Sequence, residues 1–172
     1  IPEIKSGQAL AKILIDDSKK GWADSVKTLM NSLYDGQNVY FDYSAIRLEG
    51  ARLMTMGGRA SGPQPLIKLH DFIRETMHNA QGRQLTTLEC HDICNQIAEI
   101  VVVGGVRRSS QISLSDLQDK DMRHAKDWPY PIKRAMANNS AVYREKPSAA
   151  DFLKEWGSLA LSGTGERGIF NL

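Results

Sequence analysis

The chain has 172 residues, 41% of them hydrophobic and 24% charged, which is the composition of a globular domain rather than of a disordered or fibrous protein. A formal net charge of +2 gives no bulk electrostatic reason to expect binding to nucleic acid or to a membrane. No apolar run approaches the roughly 20 residues of a transmembrane helix, and two cysteines do not suggest a disulfide framework. We expect one cytoplasmic domain without nucleic-acid or membrane partners and, since the first residue is not Met, a piece of a longer chain.

The first predicted helix covers residues 21–34, where apolar residues recur at helical spacing. Asp17 or Ser18 is placed to cap its start. Residues 38–43 are rich in β-formers and predict a strand. Residues 44–63 are then expected to form a long loop whose end is rich in glycine.

Two further helices are predicted in the middle of the chain. The first runs from residue 63 to about residue 82 and is indicated by an apolar stripe of Leu66, Leu69, Ile73 and Met77. The second begins at a capping box formed by Thr86 and Glu89, and the glycine pair at 104–105 is expected to end it.

The rest of the chain alternates between predicted strands and helices. The predicted strands cover 109–114, 140–143 and 168–172, and the predicted helices cover 115–125 and 148–161. This alternation favours an α/β fold with a largely parallel sheet or barrel.

Residues 163–168 spell G-x-G-x-x-G, a pattern that in dinucleotide-binding folds follows a strand and opens a helix. Here a predicted helix precedes the glycines and a predicted strand follows them. We therefore expect a turn that enters a strand, and not a dinucleotide site.

Cys90, His91 and Cys94 lie within about one helical turn and could begin a zinc site. Because a fourth ligand is not evident, the favoured interpretation is that the cysteines are small residues buried on a core-facing helix. A small zinc-stabilised interaction domain stays open as an alternative.

Two glycine-rich segments carry arginine and serine side chains, VVVGGVRRSS at 101–110 and GGRASGP at 57–63. Glycine permits close approach of the backbone to a ligand, and the forked guanidinium donors suit phosphate oxygens. Together the segments suggest recognition of a phosphorylated small molecule, and the alternative is two ordinary surface turns with solvated arginines.

Six segments in order resemble ribonucleotide reductase large subunits. The resemblance is closest to the adenosylcobalamin-dependent, monomeric-type ribonucleoside triphosphate reductases and to related small phage enzymes. The segments are DDSKKGW at 16–22, FDYSAIR at 41–47, GGRASGP at 57–63, VVVGGVRRSS at 101–110, ANNSAV at 137–142 and GERGIFNL at 165–172. Each segment alone is weak evidence for the family. The resemblance is specific because all six segments occur in the same order as in the family.

The resemblance implies an α/β fold that forms part of the ten-stranded α/β barrel of these reductases. Residues 1–82 would hold helices and the first specificity loop, and residues 83–172 the second specificity loop and barrel strands. The implied activity is that of an allosteric oxidoreductase that makes deoxyribonucleotides for DNA replication by thiyl-radical chemistry. The family's thiyl-cysteine segment does not occur in this sequence, so we assign no catalytic residue and expect these residues alone not to reduce ribonucleotides.

Carried over by position, the resemblance implies two groups of binding residues. Those for an allosteric effector are Asp17, Ser18, Gly58, Arg59, Ala60 and Ser61. Those of the second specificity loop and the substrate region are Gly104, Gly105, Val106, Arg107, Arg108, Ser109 and Ser110, with Asn138, Asn139 and Ser140 on a barrel strand. No metal ligand is assigned.

The implied partners are a ribonucleoside di- or triphosphate substrate, a deoxynucleoside triphosphate effector and a thioredoxin-like reductant. The implied cofactor is adenosylcobalamin, and the alternative is a radical supplied by a separate metal-containing subunit. A monomer or weak dimer is expected. A non-catalytic nucleotide-binding module that uses the same two loops stays open as an alternative function.

Overall fold

The structure is a computed structural model that describes residues 1–5, 12–53, 58–103, 110–163 and 165–172, with the backbone alone at 102 and 103. The chain divides into two compact units, Ile1–Thr86 with Ile100–Arg108, and Thr87–Glu99 with Ser109–Leu172. Most of the predicted second specificity loop, residues 104–109, lies outside the described residues.

The first unit contains two helices and a small parallel sheet. The helices are α1 (Lys19–Tyr34) and α2 (Gln64–Asn79), and the strands are β1 (Ile13–Leu14) and β2 (Phe41–Asp42). The apolar stripe predicted for α2 is confirmed, since Leu66, Leu69, Ile73 and Met77 are all 0% exposed. Leu29 and Leu33 of α1 are also 0% exposed, so the two helices bury their apolar faces in one core.

The entry into α1 depends on a side-chain cap and on a glycine. Ser18 is the cap residue, and its Oγ accepts a hydrogen bond from Gly21 N at 3.0 Å. A Cβ atom at Gly21 would collide with the backbone carbonyl of Asp16. The sequence therefore fixes how residues 16–18 run into the helix.

The strand predicted over 38–43 is wrong in extent, because β2 holds Phe41 and Asp42 alone. Its partner β1 offers two residues in parallel register, Ile13 opposite Phe41 and Leu14 opposite Asp42. A strand this short has no alternating pattern, which is why β1 was not predicted.

The second unit contains most of α3 (Thr87–Val103) and a parallel three-stranded sheet. The strands lie in the order β3 (Gln111–Asp116), β4 (Ala137–Tyr143), β5 (Gly168–Asn171). The connections hold α4 (Lys120–Arg123), a 3₁₀ helix (Ile132–Met136) and α5 (Ala149–Ser162).

The two faces of this sheet differ in exposure. In the parallel register Ile112 lies beside Asn138, and Ser113 lies beside Asn139. Ile112 is 69% exposed, whereas Asn139 is 2% exposed. We call the face of Ile112 and Asn138 the open face, and the face of Ser113 and Asn139 the covered face.

Three predicted boundaries in this unit are wrong. The first strand covers Gln111–Asp116 instead of 109–114, because its pairing with β4 runs through Asp116. The helix predicted over 115–125 is reduced to Lys120–Arg123, since the strand takes its first residues and Asp119 caps the helix. The strand predicted over 140–143 begins at Ala137, where pairing with Gln111 starts.

The glycine-rich pattern near the end of the chain forms the predicted turn. Gly163 is the C-cap of α5 with a left-handed φ of 65°, and β5 begins at Gly168. A helix therefore precedes the pattern and a strand follows it.

The prediction that Cys90 and Cys94 are buried is wrong, because both side chains are exposed. The buried positions of this part of α3 are His91, Ile93 and Asn95. The cysteines thus lie on the solvent side of the helix.

The described part of the chain is a mixed α/β structure whose strands pair in parallel, as predicted. Its strands form two small sheets and do not close into a barrel. Across the described ranges, no helix combines the length and the apolar character needed to cross a bilayer.

Candidate functional site

Residues 50–53 and 58–60 pair as two short antiparallel segments, which we call the arginine hairpin. Arg52 and Arg59 form an isolated antiparallel bridge. Gly50 N donates to Ala60 O at 2.9 Å, and Ala60 N donates back to Ala51 O at 2.7 Å. These bonds set the two arginines side by side.

The arginine hairpin borders a cavity of about 370 Å³ that is lined by Arg52, Gly58 and Arg59. Arg59 Nη1 donates to Gly50 O at 3.0 Å, so one of its donors is already used within the hairpin. Two guanidinium groups and a glycine suit an anionic ligand that approaches the backbone closely.

The predicted effector residues near α1 are joined to the segment that leads into the hairpin. Arg47 Nε donates to Asp17 Oδ2 at 2.6 Å, and both side chains are about one-third exposed, at 38% and 30%. Arg47 precedes Gly50 by three residues, so their Cα atoms are at most about 11 Å apart. The carboxylate at the helix entry and the arginine hairpin are therefore linked through one short stretch of chain.

The remaining predicted effector residues have less accessible side chains. Ala60 is 9% exposed, and half-buried Ser61 donates through Oγ to Gly62 O at 3.4 Å. Gly62 has φ +71°, and a Cβ there would lie 3.0 Å from Glu49 N. Ala60 and Ser61 thus shape the base of the hairpin, whereas Gly58 and Arg59 face the cavity.

The three predicted substrate residues of β4 do not share a face. Asn138 is exposed and Ser140 is half-buried, both on the open face. Asn139 lies on the covered face, where its Oδ1 is 3.0 Å from His91 Nε2. Of the predicted second specificity loop, Ser110 is described and is exposed.

Comparisons with known proteins agree on one family. Residues 5–77 match the family described as B12-dependent ribonucleotide reductase, insertion domain. An adenosylcobalamin-dependent ribonucleoside-triphosphate reductase from Euglena gracilis is 33% identical over 147 residues, and one from Levilactobacillus brevis is 33% identical over 167 residues. The chain is a segment of a ribonucleotide reductase of the B12-dependent family.

A solved structure gives the same assignment for the reductase segment. The crystal structure of a B12-dependent (class II) ribonucleotide reductase matches with a TM-score of 0.70 and 28% identity, over 83% of this chain and 20% of that one. The Euglena and Levilactobacillus relatives are covered over 20% and 22% of their lengths. The segment therefore spans about a fifth of the reductases it matches.

The sequence alone did not identify two arginines of this reductase segment as site residues. Arg52 reaches the cavity because it pairs across the hairpin with Arg59. Arg47 lies in segment 41–47, which resembles the family, but it was not named as a site residue. It is included in the site because its side chain forms an ion pair with Asp17. The sequence suggests these arginines only if the glycine-rich segment is expected to fold back as a hairpin on the residues that precede it.

A buried ion network supports the entry to β5 in the reductase segment. Arg167 is 2% exposed, and its Nε donates to Glu155 Oε1 at 2.7 Å. Arg123 Nε donates to Glu155 Oε2 at 2.9 Å. Burial by itself would raise the pKa of Glu155, but hydrogen bonds and charge from Arg167 and Arg123 outweigh it and hold that pKa below its usual range. The network fixes α5 and β5 and carries no feature of a catalytic site.

The arrangement around Cys90 and Cys94 does not favour a zinc site. His91 is 5% exposed, and its two ring nitrogens contact Asn139 and Asn95 at 3.0 Å each, while the cysteines are exposed. Within the part of the chain that the structure describes, no three His, Cys, Asp or Glu side chains group as metal ligands.

Proposed function

We propose that the parent protein of this segment reduces ribonucleoside triphosphates to deoxyribonucleoside triphosphates, and that the segment supplies the effector site and the specificity loops. The observation that carries the proposal is the cavity at Arg52 and Arg59, in the loop that the sequence resemblance assigns to the family's first specificity loop. The triphosphate substrate follows the name of the relatives, ribonucleoside-triphosphate reductase.

In this proposal a deoxynucleoside triphosphate effector places its phosphates against Arg52 and Arg59. Forked guanidinium donors bind phosphate oxygens through charge-assisted hydrogen bonds. Asp17 accepts a hydrogen bond from a ribose hydroxyl, and Arg47 orients that carboxylate through the 2.6 Å contact. Ser18 keeps the helix entry in place as its cap.

The second specificity loop, residues 104–110, links the effector to the choice of substrate base. Residues 104–109 lie outside the described residues, and their role is proposed from the resemblance alone. A bound effector would change which substrate base Arg107 and Arg108 favour. Coupling between two such sites typically changes affinity by a factor of about 5 to 150.

The open face of the β3-β4-β5 sheet is proposed to face the substrate cavity of the ten-stranded barrel. Asn138 and Ser140 lie on this face beside exposed apolar residues such as Leu114, which is 45% exposed. We propose that further strands of the parent reductase complete the barrel over this face. The division of the segment at residue 82 and the cytoplasmic location stay predictions.

The relatives are named for adenosylcobalamin, and we propose the same cofactor for the parent reductase. When bound, this group would supply the radical that starts the reduction. The cavity at Arg52 and Arg59 does not fit this group, because two guanidinium groups and a glycine suit a small anion and not a corrin ring. No step on these residues is therefore assigned to the cofactor, and the thioredoxin-like reductant is likewise proposed for the parent protein alone.

Effector binding by the parent reductase tests the proposal directly. Arg52→Ala and Arg59→Ala should each weaken binding of a deoxynucleoside triphosphate by about 10- to 100-fold, since each removes a charge-assisted contact. Arg144→Ala, at an exposed position after β4, is the matched control and should leave the dissociation constant unchanged. Unchanged binding in both hairpin variants would contradict the proposed effector site.

The alternative function is a non-catalytic nucleotide-binding module that uses the same loops. An assay for product formation distinguishes it from a reductase. The parent protein with cofactor, reductant and a ribonucleoside triphosphate should form the deoxyribonucleotide. Effector binding without any product would favour the binding module.

A further inference from the structure

Four polar side chains on the covered face of the β3-β4-β5 sheet form a continuous hydrogen-bond chain, which we call the amide relay. Gln111 Nε2 donates to Asn95 Oδ1 at 2.7 Å. Asn95 Nδ2 lies 3.0 Å from His91 Nδ1, and His91 Nε2 lies 3.0 Å from Asn139 Oδ1. Asn95, Asn139 and His91 are 0%, 2% and 5% exposed.

The amide relay has one direction. Asn95 Oδ1 accepts the hydrogen bond from Gln111, so the amide nitrogen of Asn95 is the atom that donates to His91 Nδ1. The imidazole then carries its proton on Nε2 and donates to Asn139 Oδ1. Asp92 Oδ1 lies 3.6 Å from His91 Nδ1, farther than Asn95 Nδ2 at 3.0 Å. Each member therefore donates to the next, and reversing one bond disturbs the others.

The relay joins the two parts of the segment that the proposed function uses for specificity. Gln111 is the residue immediately after the second specificity loop and the first residue of β3. Asn139 lies in β4 between Asn138 and Ser140, whose side chains point to the open face. A shift of the chain at Gln111 is thus opposed by bonds that end on the strand carrying the proposed substrate contacts.

Asn139 is also held through its backbone. Its N–H donates to Glu166 Oε2 at 2.8 Å, and Glu166 Oε1 accepts from Lys126 Nζ at 2.7 Å. The Nδ2 group of Asn139 is buried and has no hydrogen-bond partner among the described residues. Its side chain is therefore oriented mainly through His91, the one side-chain contact that the relay provides.

We propose that His91 and Asn95 are positioning residues for substrate specificity, through which the end of the second specificity loop sets the position of Asn138 and Ser140. The inference rests on the proposed function, because it assigns a role in effector-dependent choice of base. Buried side chains joined by hydrogen bonds shift together, because moving one member breaks a bond that water cannot replace in a buried site. No relay residue touches the substrate.

Asn95→Asp in the parent reductase is the primary test, because it changes shape very little and removes the donor to His91 Nδ1. Gln111→Glu is the second variant, since it removes the first donor of the relay at a half-buried position that tolerates change better. Gln96→Glu is the matched control: Gln96 lies on the same helix, and its Nε2 contacts Glu99 and no relay residue.

The readout is the ratio of kcat/KM between two ribonucleotide substrates, measured with and without the matching deoxynucleotide effector. The effector-induced change in this ratio should fall at least fivefold in Asn95→Asp and in Gln111→Glu, and should persist in Gln96→Glu. A merely structural role would lower kcat/KM for all substrates together and leave the effector-induced change intact.

The outcomes separate the two claims. If the wild-type parent shows an effector-induced change and folded Gln111→Glu or Asn95→Asp retains it, the relay proposal is overturned while the proposed function stands. If Asn95→Asp does not fold, Gln111→Glu alone decides in the same way. Wild-type selectivity that does not respond to any effector would overturn the proposed function, and the role of the relay with it.

Discussion

Asp17 and Arg47 form an ion pair with 2.6 Å between Oδ2 and Nε, and this pair connects the start of α1 to the chain that leads into the arginine hairpin. Asp17 comes directly before the cap residue Ser18, so its backbone is fixed by the helix. Arg47 fixes its side chain. The carboxylate is thus held in one orientation from both sides, as a binding group requires.

Arg47→Ala should weaken effector binding by about 3- to 10-fold with little loss of stability. The stability cost should stay below about 1 kcal/mol, since a partly exposed ion pair contributes no more than that. Binding weakens because Asp17 loses the partner that orients it. Equilibrium binding of a deoxynucleoside triphosphate to the parent reductase measures the effect.

Lys20→Ala is the control for this variant. It removes the exposed pair between Lys20 and Asp24 on the same helix, where the side chains are 84% and 57% exposed. An equal loss of affinity in Lys20→Ala, or none in Arg47→Ala, would show that the pair with Asp17 has no part in binding.

His70 should make the local stability of α2 depend on pH. Burial, with a contribution from the charge of Arg74, lowers the pKa of His70 from 6.5 to about 4. Tyr43 Oη lies 2.7 Å from its Nδ1 and Ser25 Oγ lies 3.1 Å from its Nε2, contacts that suit a neutral ring. Because the folded state disfavours the proton, this stabilisation is present above pH 6.5 and is lost as the pH falls toward 4.

Between pH 7 and pH 5 the opening free energy of α2 should fall by about 2 kcal/mol. Amide hydrogen exchange of the α2 backbone in the parent reductase, corrected for the intrinsic exchange rate, measures this change. His70→Gln has no titrating ring and should show a flat profile. Equal pH dependence in the two proteins would exclude His70 as its source.

Glu155→Gln should destabilise the second unit by about 3–5 kcal/mol, since it leaves Arg167 and Arg123 without their buried counter-charge. Arg167 is 2% exposed and Glu155 is 1% exposed, so water cannot replace the lost partner. Hydrogen exchange of the α5 and β5 amides measures the loss. Glu145→Gln removes an exposed carboxylate after β4 and should leave protection unchanged; equal protection in both variants would contradict the role of the network.

The helices of the first unit could be predicted because their stability depends on a local pattern. Leu66, Leu69, Ile73 and Met77 recur at helical spacing, and all four are buried. Strand boundaries depended on partners distant in sequence. The extent of β3 follows from pairing with β4, which the residues of β3 alone do not encode.

The covered side of α3 shows why residue type alone misled the prediction. Cys90 and Cys94 were expected inside because cysteine behaves as a small hydrophobe. His91 and Asn95 occupy the buried face instead, because they satisfy one another and Asn139 through hydrogen bonds. A buried polar position is stable only when its hydrogen-bond partners exist, and Asn139, the partner of His91, lies 48 residues further along the chain.

Part of the candidate site lies where the sequence led us to expect effector residues, in the glycine-rich segment and at the entry to α1, and the binding role of these residues stays a prediction. Gly58 and Arg59 were identified from the loop and line the cavity, whereas Arg52 required knowledge of the hairpin. Alternation along β4 separates Asn138 and Ser140 from Asn139, and the helix packed on one side decides which face is buried. Residues 104–109 lie outside the described residues, so the role of the second specificity loop stays a prediction.

The central claim is that the paired arginines of the second specificity loop let a bound deoxynucleotide choose the substrate base. The most direct measurement is a competition assay on the parent reductase with all four ribonucleotides, with and without effector, comparing wild type with Arg107→Ala and Arg108→Ala. We predict that the effector redirects base preference in the wild type and does so at least fivefold less in the variants. Unchanged effector-dependent preference in both variants would contradict the account.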